Sequence, residues 1–414
     1  MLTNYVKIAF KVFLRRKFFT LISLFGISFT LVVLMVAAAM LDHMFAAMPP
    51  EVNQGRTVGI VRASLFGKGS SWSSSAGYRL LDQCARNLPG AERMSIYSRP
   101  QTVYSYPGGN KVRIDLKRTD GDFWHILQFD FLEGAPYTAQ DVDDARFVAV
   151  ITETTRARLL GGGPATGRTV EVDGQRFRVV GVVRDVPLHR PVPYAEMWAP
   201  ITTAKSDSYK TELIGSFNAL VLARDRSAIP SMKEEFRARL ARVELPDPKQ
   251  FSTLVAPLES FFDQAARSTF SSNRDENSHS EMLWAAIIGS ALLFMLLPTV
   301  NLVNLNVSRI MERASEIGVR KAFGASSRTL VGQFIVENLM LTLVGGIVGF
   351  AVSVLVLRAI TASGMVPYAN LTVNVRIFLY GLALAVFFGV FSGVYPAWRM
   401  SRLNPVAALK GASR

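Results

Sequence analysis

The sequence predicts a multi-pass α-helical membrane protein with four transmembrane helices and a large α+β extracytoplasmic domain between helices 1 and 2. Three observations carry this. Four apolar stretches, 18–41, 282–308, 329–357 and 377–398, hold a single charged residue among them, Glu337. Each reaches the roughly 20 residues a helix needs to cross a hydrocarbon core. Residues 42–281, between the first two stretches, alternate strand-like and helix-like segments. Finally, the basic excess of the chain lies beside the apolar stretches and not among the residues of the intervening domain.

The charge map sets the orientation. The 414-residue chain has a formal net charge of +14, a value that suggests nucleic acid until it is placed along the sequence. Residues 42–281 hold 30 basic against 29 acidic residues. The segments 1–17, 309–328 and 399–414 together hold 14 basic against 2 acidic. The excess is therefore a topology signal, and no nucleic-acid partner is expected. By the positive-inside rule these three segments face the cytoplasm. The expected location is the cell (inner) membrane, multi-pass, with both termini cytoplasmic.

Residues 1–17 read as an amphipathic cytoplasmic helix, with Lys7, Lys11 and Arg15 on one face and Val6, Phe10 and Phe13 on or near the other. Transmembrane helix 1 follows at 18–41. A cleaved signal peptide is the alternative, but its apolar core is usually 7–15 residues, and Ala37-Ala38-Ala39 is the nearest approach to a cleavage site. An uncleaved span is the expectation.

Within 42–281, Thr57 to Phe66 has strand character, and Tyr78 to Leu88 reads as a helix ended by Pro89-Gly90. Val103 to Tyr106 and Lys111 to Lys117 form a hairpin pattern around Pro107-Gly108-Gly109. Phe147 to Thr152 reads as a strand and Glu153 to Leu160 as a helix. Val170 to Val172 and Arg176 to Val183 alternate about Asp173-Gly174, a strong hairpin signal. Met232 to Val243 reads as a further helix. Interleaving of this kind predicts an α+β domain. Cys84 is the only cysteine, so no intrachain disulfide can form.

Transmembrane helix 2 (282–308), the loop 309–328 and helix 3 (329–357) come next. The loop carries Arg309, Glu312, Arg313, Glu316, Arg320, Lys321 and Arg328. Glu316 and Arg320 stand i, i+4 in the favourable order, while Ile310, Ala314 and Ile317 line another face. Gly324 suits a C-cap, and Ser326 or Ser327 an N-cap for the helix that re-enters the membrane. Charge and periodicity leave two readings open, a surface connector and a docking helix. Glu337 is either an intramembrane functional acid or a solvated group near the inner interface. Gly345 and Gly349, and Gly389 and Gly393, are small-xxx-small pairs that allow close helix approach, although glycine is common in spans anyway. A short external loop (358–376), helix 4 (377–398) and a basic cytoplasmic tail (399–414) complete the chain.

The run Glu316-Ile-Gly-Val-Arg-Lys-Ala-Phe-Gly-Ala325, followed by Gln333 and Glu337, resembles the signature of the MacB/FtsX/LolC-type permeases of ABC transporters. Tyr395-Pro-Ala397 and Asn404-Pro405 resemble the family's C-terminal pattern. Asp120-Gly-Asp-Phe-Trp124, Phe129 to Gly134, Phe147 to Thr152, Gly167 to Val170 and Phe177 to Val183 are similar to its MacB-like extracytoplasmic domain. The sequence departs at Gly161 to Thr166, where GGGPAT stands in place of an acidic-Pro-Ile run. The resemblance implies an inserted lobe at roughly 115–200. It also implies that Glu312, Arg313, Glu316, Ile317, Gly318, Arg320, Lys321 and Gly324 contact a cytoplasmic ABC ATPase dimer. A second permease copy, identical or homologous, is implied as well, and export would add a periplasmic adaptor and an outer-membrane channel. ATP and Mg would be used by the partner, with no cofactor bound by this chain.

Motif chemistry is sparse. The nearest approach to a phosphate-binding loop, Phe66-Gly-Lys-Gly-Ser70, has Arg62 at the first glycine position and Gly69 at the Ser/Thr position, and reads instead as a flexible loop. The histidines (His43, His125, His189 and His279) lack zinc-ligand spacing. Asp120, Asp122 and His125 make a weak metal candidate against turn capping as the plainer reading. The leading expectation is a non-enzymatic permease that transmits ATP-driven motion outward. Efflux of a peptide or small molecule comes first, then lipoprotein export. The rival readings are a membrane sensor or scaffold, and a regulator of cell-wall hydrolases.

Overall fold

The structure is a computed structural model that describes residues 2–15, 17–45, 47–188, 190–270, 275, 277–312, 319, 323, 326–363 and 371–401. The chain divides into a helical unit (1–43 and 284–414) and an α+β unit (44–283).

Helix α1 (Leu2–Arg15) and helix α2 (Lys17–Phe45) open the chain. In α1, Ala9 is buried, while Val6, Phe10 and Leu14 stay exposed. In the α+β unit the expected strand Thr57–Phe66 is broken in two. Strand β1 (Thr57–Ile60) pairs with a late strand, and β2 (Ala63–Phe66) turns away after Val61-Arg62 to pair with β3 (Ser71–Ala76). The segment expected as a flexible loop is the β2–β3 turn, closed by Gly67 N donating to Ser70 O, with Gly69 at φ +82°. Glycine meets that left-handed conformation at no steric cost.

Helix α3 (Tyr78–Ala85) buries Leu80, Leu81 and Cys84. Burial pushes the Cys84 thiol up to about 11. Strands β4 (Ala91–Ser98), β5 (Gln101–Ser105) and β6 (Val112–Thr119) follow; β5 and β6 form the hairpin expected around Pro107. Next come α4 (Asp122–Ile126), β7 (Phe131–Gly134), α5 (Ala139–Asp143), β8 (Val148–Thr152) and α6 (Glu153–Leu160). Strands β9 (Thr169–Val172) and β10 (Gln175–Val183) pair antiparallel, with Asp173 at φ +56° and Gly174 at φ +70°. Two consecutive positive φ values are what a two-residue hairpin turn demands. Strands β11 (Met197–Pro200), β12 (Ile214–Gly215) and β13 (Phe217–Ala223), helix α7 (Ile229–Leu240), β14 (Thr253–Val255) and α8 (Phe261–Phe270) complete the unit.

The strands run β14-β2-β3-β13-β4-β6-β11-β8-β10-β7, with β1 on β13, β12 on β3, β5 on β6 and β9 on β10. Between β4 and β6 the ladder narrows to one residue pair, Tyr97 opposite Thr119. A large core runs under both halves of the sheet, from Val58 and Leu80 to Trp124, Val150 and Trp198. A second, around Ile114, Ala149, Ile151, Phe177 and Met197, belongs to the β6–β10 half alone.

Three long helices follow: α9 (Ser280–Glu312), α10 (Ser327–Ser363) and α11 (Val375–Ser401). Helix α10 runs six residues past the end of its apolar stretch, so Arg358 sits within it. By length and composition, Lys17–His43 and Val331–Ser363 suffice to cross a membrane, whereas the described apolar parts of the other two, Ser280–Phe294 and Val375–Val390, are shorter. Two spans, not the expected four, therefore meet the criterion among the described residues.

Candidate functional site in the helical unit

Of the candidate docking segment, Arg313, Glu316, Ile317, Gly318, Arg320, Lys321 and Gly324 lie outside the described residues, and Glu312 is the last residue of α9. Two apolar neighbours that charge patterning passed over are described. Phe323 is 89% exposed and Val319 is exposed beside it, with Phe323 N donating to Val319 O at 3.1 Å. An aromatic ring and a branched side chain, four positions apart, are thus both exposed. Ser326 Oγ accepts from Thr329 N at 3.2 Å and caps the start of α10.

Glu337 is buried, one turn above Gln333, whose amide donates to its Oε1 at 2.9 Å. Asn338 is buried too, and Thr342 Oγ1 donates back to its carbonyl at 2.9 Å. The result is a polar ladder from Gln333 to Thr342 in an otherwise apolar helix.

Gly345 and Gly349 of α10 lie against α2. A Cβ on Gly345 would stand 2.8 Å from Ile27 Cγ2, and one on Gly349 would stand 3.2 Å from Leu31 Cβ. Ser28 Oγ donates to Gly345 O at 2.9 Å, a bond only such close approach permits. Gly346 turns the other way, where a Cβ would stand 2.6 Å from Leu382 Cδ1 of α11. A Cβ on Gly389 of α11 would stand 2.8 Å from Thr342 Oγ1. Gly393 lies within α11 and nothing further is described for it. Ile27, Leu31, Met35, Leu341 and Phe378 fill the space between. At the other end of α2, Asp42 Oδ2 accepts from Asn374 Nδ2 at 2.8 Å, while Asn374 Oδ1 caps α11 through the amides of Arg376 and Ile377. The structure therefore brings α2, α10 and α11 together about small residues. Ser28, Gly346, Thr342 and Asn374 escaped sequence reasoning because each acts through a partner far along the chain.

In the α+β unit the weak metal candidate is a capped turn. Asp120 accepts from Ser95 Oγ (2.6 Å), Ile96 N (2.7 Å) and Phe123 N (3.1 Å), and burial pushes its carboxyl up to about 6. Asp122 instead pairs with Arg93 at 2.8 Å. No group of three or more metal-ligating side chains occurs among the described residues.

Residues 20–239 match the MacB-like periplasmic core domain, and residues 288–405 match the FtsX-like permease C-terminal domain. The macrolide export ATP-binding/permease protein MacB of Nitrobacter winogradskyi is 28% identical over 73% of this chain and 44% of its own length. The pyoverdine export ATP-binding/permease protein PvdT of Pseudomonas syringae is 27% identical over 74% of this chain and 42% of its own. The chain thus spans under half the length of these relatives. Among solved structures, the periplasmic region of MacB from Actinobacillus actinomycetemcomitans matches with a TM-score of 0.37 and 15% identity, over 52% of this chain and 94% of that one. Both matched domains are permease domains, and the first covers more than half of the sequence. The chain belongs to the MacB/FtsX family of ABC-transporter permeases.

Proposed function

We propose that the chain is the permease subunit of an ABC exporter whose ATPase is a separate cytoplasmic dimer. Two permease copies would present their 309–328 segments to it, and four spans per copy, with both termini cytoplasmic, would carry the ATP-driven motion to the α+β domain outside. Efflux of a small molecule or peptide is the first reading, supported by the macrolide and pyoverdine exporters among the relatives. A periplasmic adaptor and an outer-membrane channel would complete such a route. The ATP and Mg belong to the partner, and this chain binds no cofactor in the proposal.

The observation that carries the docking reading is the exposed Val319–Phe323 turn within a strongly basic segment. An exposed aromatic side chain in a stretch of sequence dense in charge has the composition of an interface hot spot. Glu316→Lys would change helix stability itself by only a few tenths of a kcal/mol. Against a docked partner the reversal, like Phe323→Ala, should abolish co-purification with the ATP-binding subunit or stimulation of its hydrolysis. Wild-type binding and hydrolysis in both variants would make this segment a passive connector.

A further inference from the structure

Two short segments at the margins of the α+β unit lead to the long helices, 46–51 after α2 and 275–279 before α9. Each segment is held by an arginine paired with a buried carboxylate. Arg190 Nη1 donates to Glu51 Oε2 and to Met48 O, both at 3.2 Å. Arg267 grips both carboxylate oxygens of Glu259, with Nη2 to Oε1 at 2.7 Å and Nε to Oε2 at 3.1 Å, and also donates to Asp275 O. These pairs are 5%/10% and 5%/7% exposed, whereas every other described ion pair has a partner at least 26% exposed.

We infer that Glu51–Arg190 and Glu259–Arg267 are clamps that fix the two linkers to the sheet, so that displacement of the flanking helices reaches the α+β unit without being absorbed. The inference rests on the mechanical reading above. Buried ion pairs add little net stability over apolar residues of the same volume. What such an arginine adds is direction, because aligned hydrogen bonds, a fork on the carboxylate at Arg267 and a bridge from Nη1 to carboxylate and carbonyl at Arg190, resist sliding where apolar contacts do not. Unclamped, the six residues 46–51 could extend to a reach of about 20 Å, a length in which a helix shift of one turn, about 5.4 Å, can be absorbed.

The two clamps lead into different halves of the sheet. The loop bearing Arg190 is fixed to β6 by Lys117, whose buried ammonium donates to the carbonyls of Pro191 and Val192. Glu259 exchanges both backbone hydrogen bonds with Gly59 of β1, at 2.7 and 2.9 Å, and β1 lies on β13. Phe45 packs against Phe261 and Phe262, with ring centroids 5.8 and 5.3 Å away, which sets the entry segment beside α8.

The test uses the full chain with its ATP-binding subunit in nanodiscs, in a Cys84→Ser background. Spin labels at Trp72→Cys and Tyr106→Cys, both exposed positions and one in each half of the sheet, report the distance between halves. Labelled chains are diluted with unlabelled ones to isolate the intrachain distance. Nucleotide trapping with vanadate should shift this distance in the parent protein. The apolar replacements Glu51→Leu/Arg190→Met and Glu259→Leu/Arg267→Met should each cut the shift by half or more while ATP hydrolysis continues. Should a pair fail to fold, Glu51→Gln, which keeps the shape and loses the charge, or Arg267→Lys, which keeps the charge and loses the fork, is read by the same criterion. An undiminished shift in the variants overturns the clamps alone. No shift in the parent overturns the mechanical reading, and the clamps with it.

Discussion

Gly345→Leu is the most demanding test of the helix packing. The first added carbon would stand 2.8 Å from Ile27 Cγ2 and 3.0 Å from Ile27 Cβ, so α2 and α10 must separate by about 1 Å to restore van der Waals contact. Overpacking of this kind costs about 1–3 kcal/mol. Separation also lengthens the Ser28–Gly345 hydrogen bond beyond use, adding about 0.6 kcal/mol or somewhat more in a membrane setting. The sum is roughly 2–4 kcal/mol, about 30- to 800-fold in an opening equilibrium. The assay uses one buried reporter, Ser353→Cys, in a Cys84→Ser background. The rate at which a fluorogenic maleimide reaches that thiol in detergent follows the open population. Gly289→Leu is the control, because nothing lies within 4 Å of a Cβ there. Reaction within threefold of the control would show that the Gly345 contact does not hold the helices together.

Two further outcomes follow from charge. Burial pushes the Lys117 ammonium down from 10.5 to about 7. Between those values the unfolded chain binds more protons than the folded one, so this residue makes stability rise with pH, by at most ~1.4 kcal/mol per unit. The fragment 44–278 should fold without metal or reducing agent, and its urea midpoint should climb from pH 7 to 9 relative to Lys117→Met; parallel profiles would contradict the shift. Topology is checked by labelling Lys321→Cys in cells. An impermeant maleimide should leave it unmodified from outside, and modification there would place the docking segment on the wrong face.

Local chemistry was the part of the fold open to sequence reasoning. Asp173-Gly174 specifies its hairpin because two positive φ values in a row admit few residue pairs. Thr152 and Gly161 bracket Glu153–Leu160 as an N-cap and a left-handed C-cap, so that helix is found at its expected limits. The break at Val61-Arg62 was hidden because β1 and β2 are both short, mostly apolar runs, and what parts them is their partners, β13 and β3. Strands β4 and β13, the widest pairing in the sheet, escaped notice: Phe217–Ala223 is buried throughout and shows no alternation. The site divides the same way. Gly345 and Gly349 stand out by their spacing, but that they face Ile27 and Leu31 is settled only by the fold. Arg190 and Glu51 are 139 positions apart, with nothing local to tie them.

The narrowing of the sheet between β4 and β6 has a consequence for how such a domain can vary. With a single ladder pair, Tyr97 and Thr119, the backbone contributes little bending resistance across the join. The resistance comes largely from side chains around it: Asp120 accepts from Ser95 and Ile96 of β4, and Phe123 lies 5.7 Å from Tyr97 and 5.5 Å from Trp124, which in turn lies 5.9 Å from Trp198. Compliance in this domain is accordingly a property of side chains. Replacing one ring with a smaller residue would soften the join and leave the strand order untouched, so one architecture can be retuned between stiff lever and yielding spring by point substitutions.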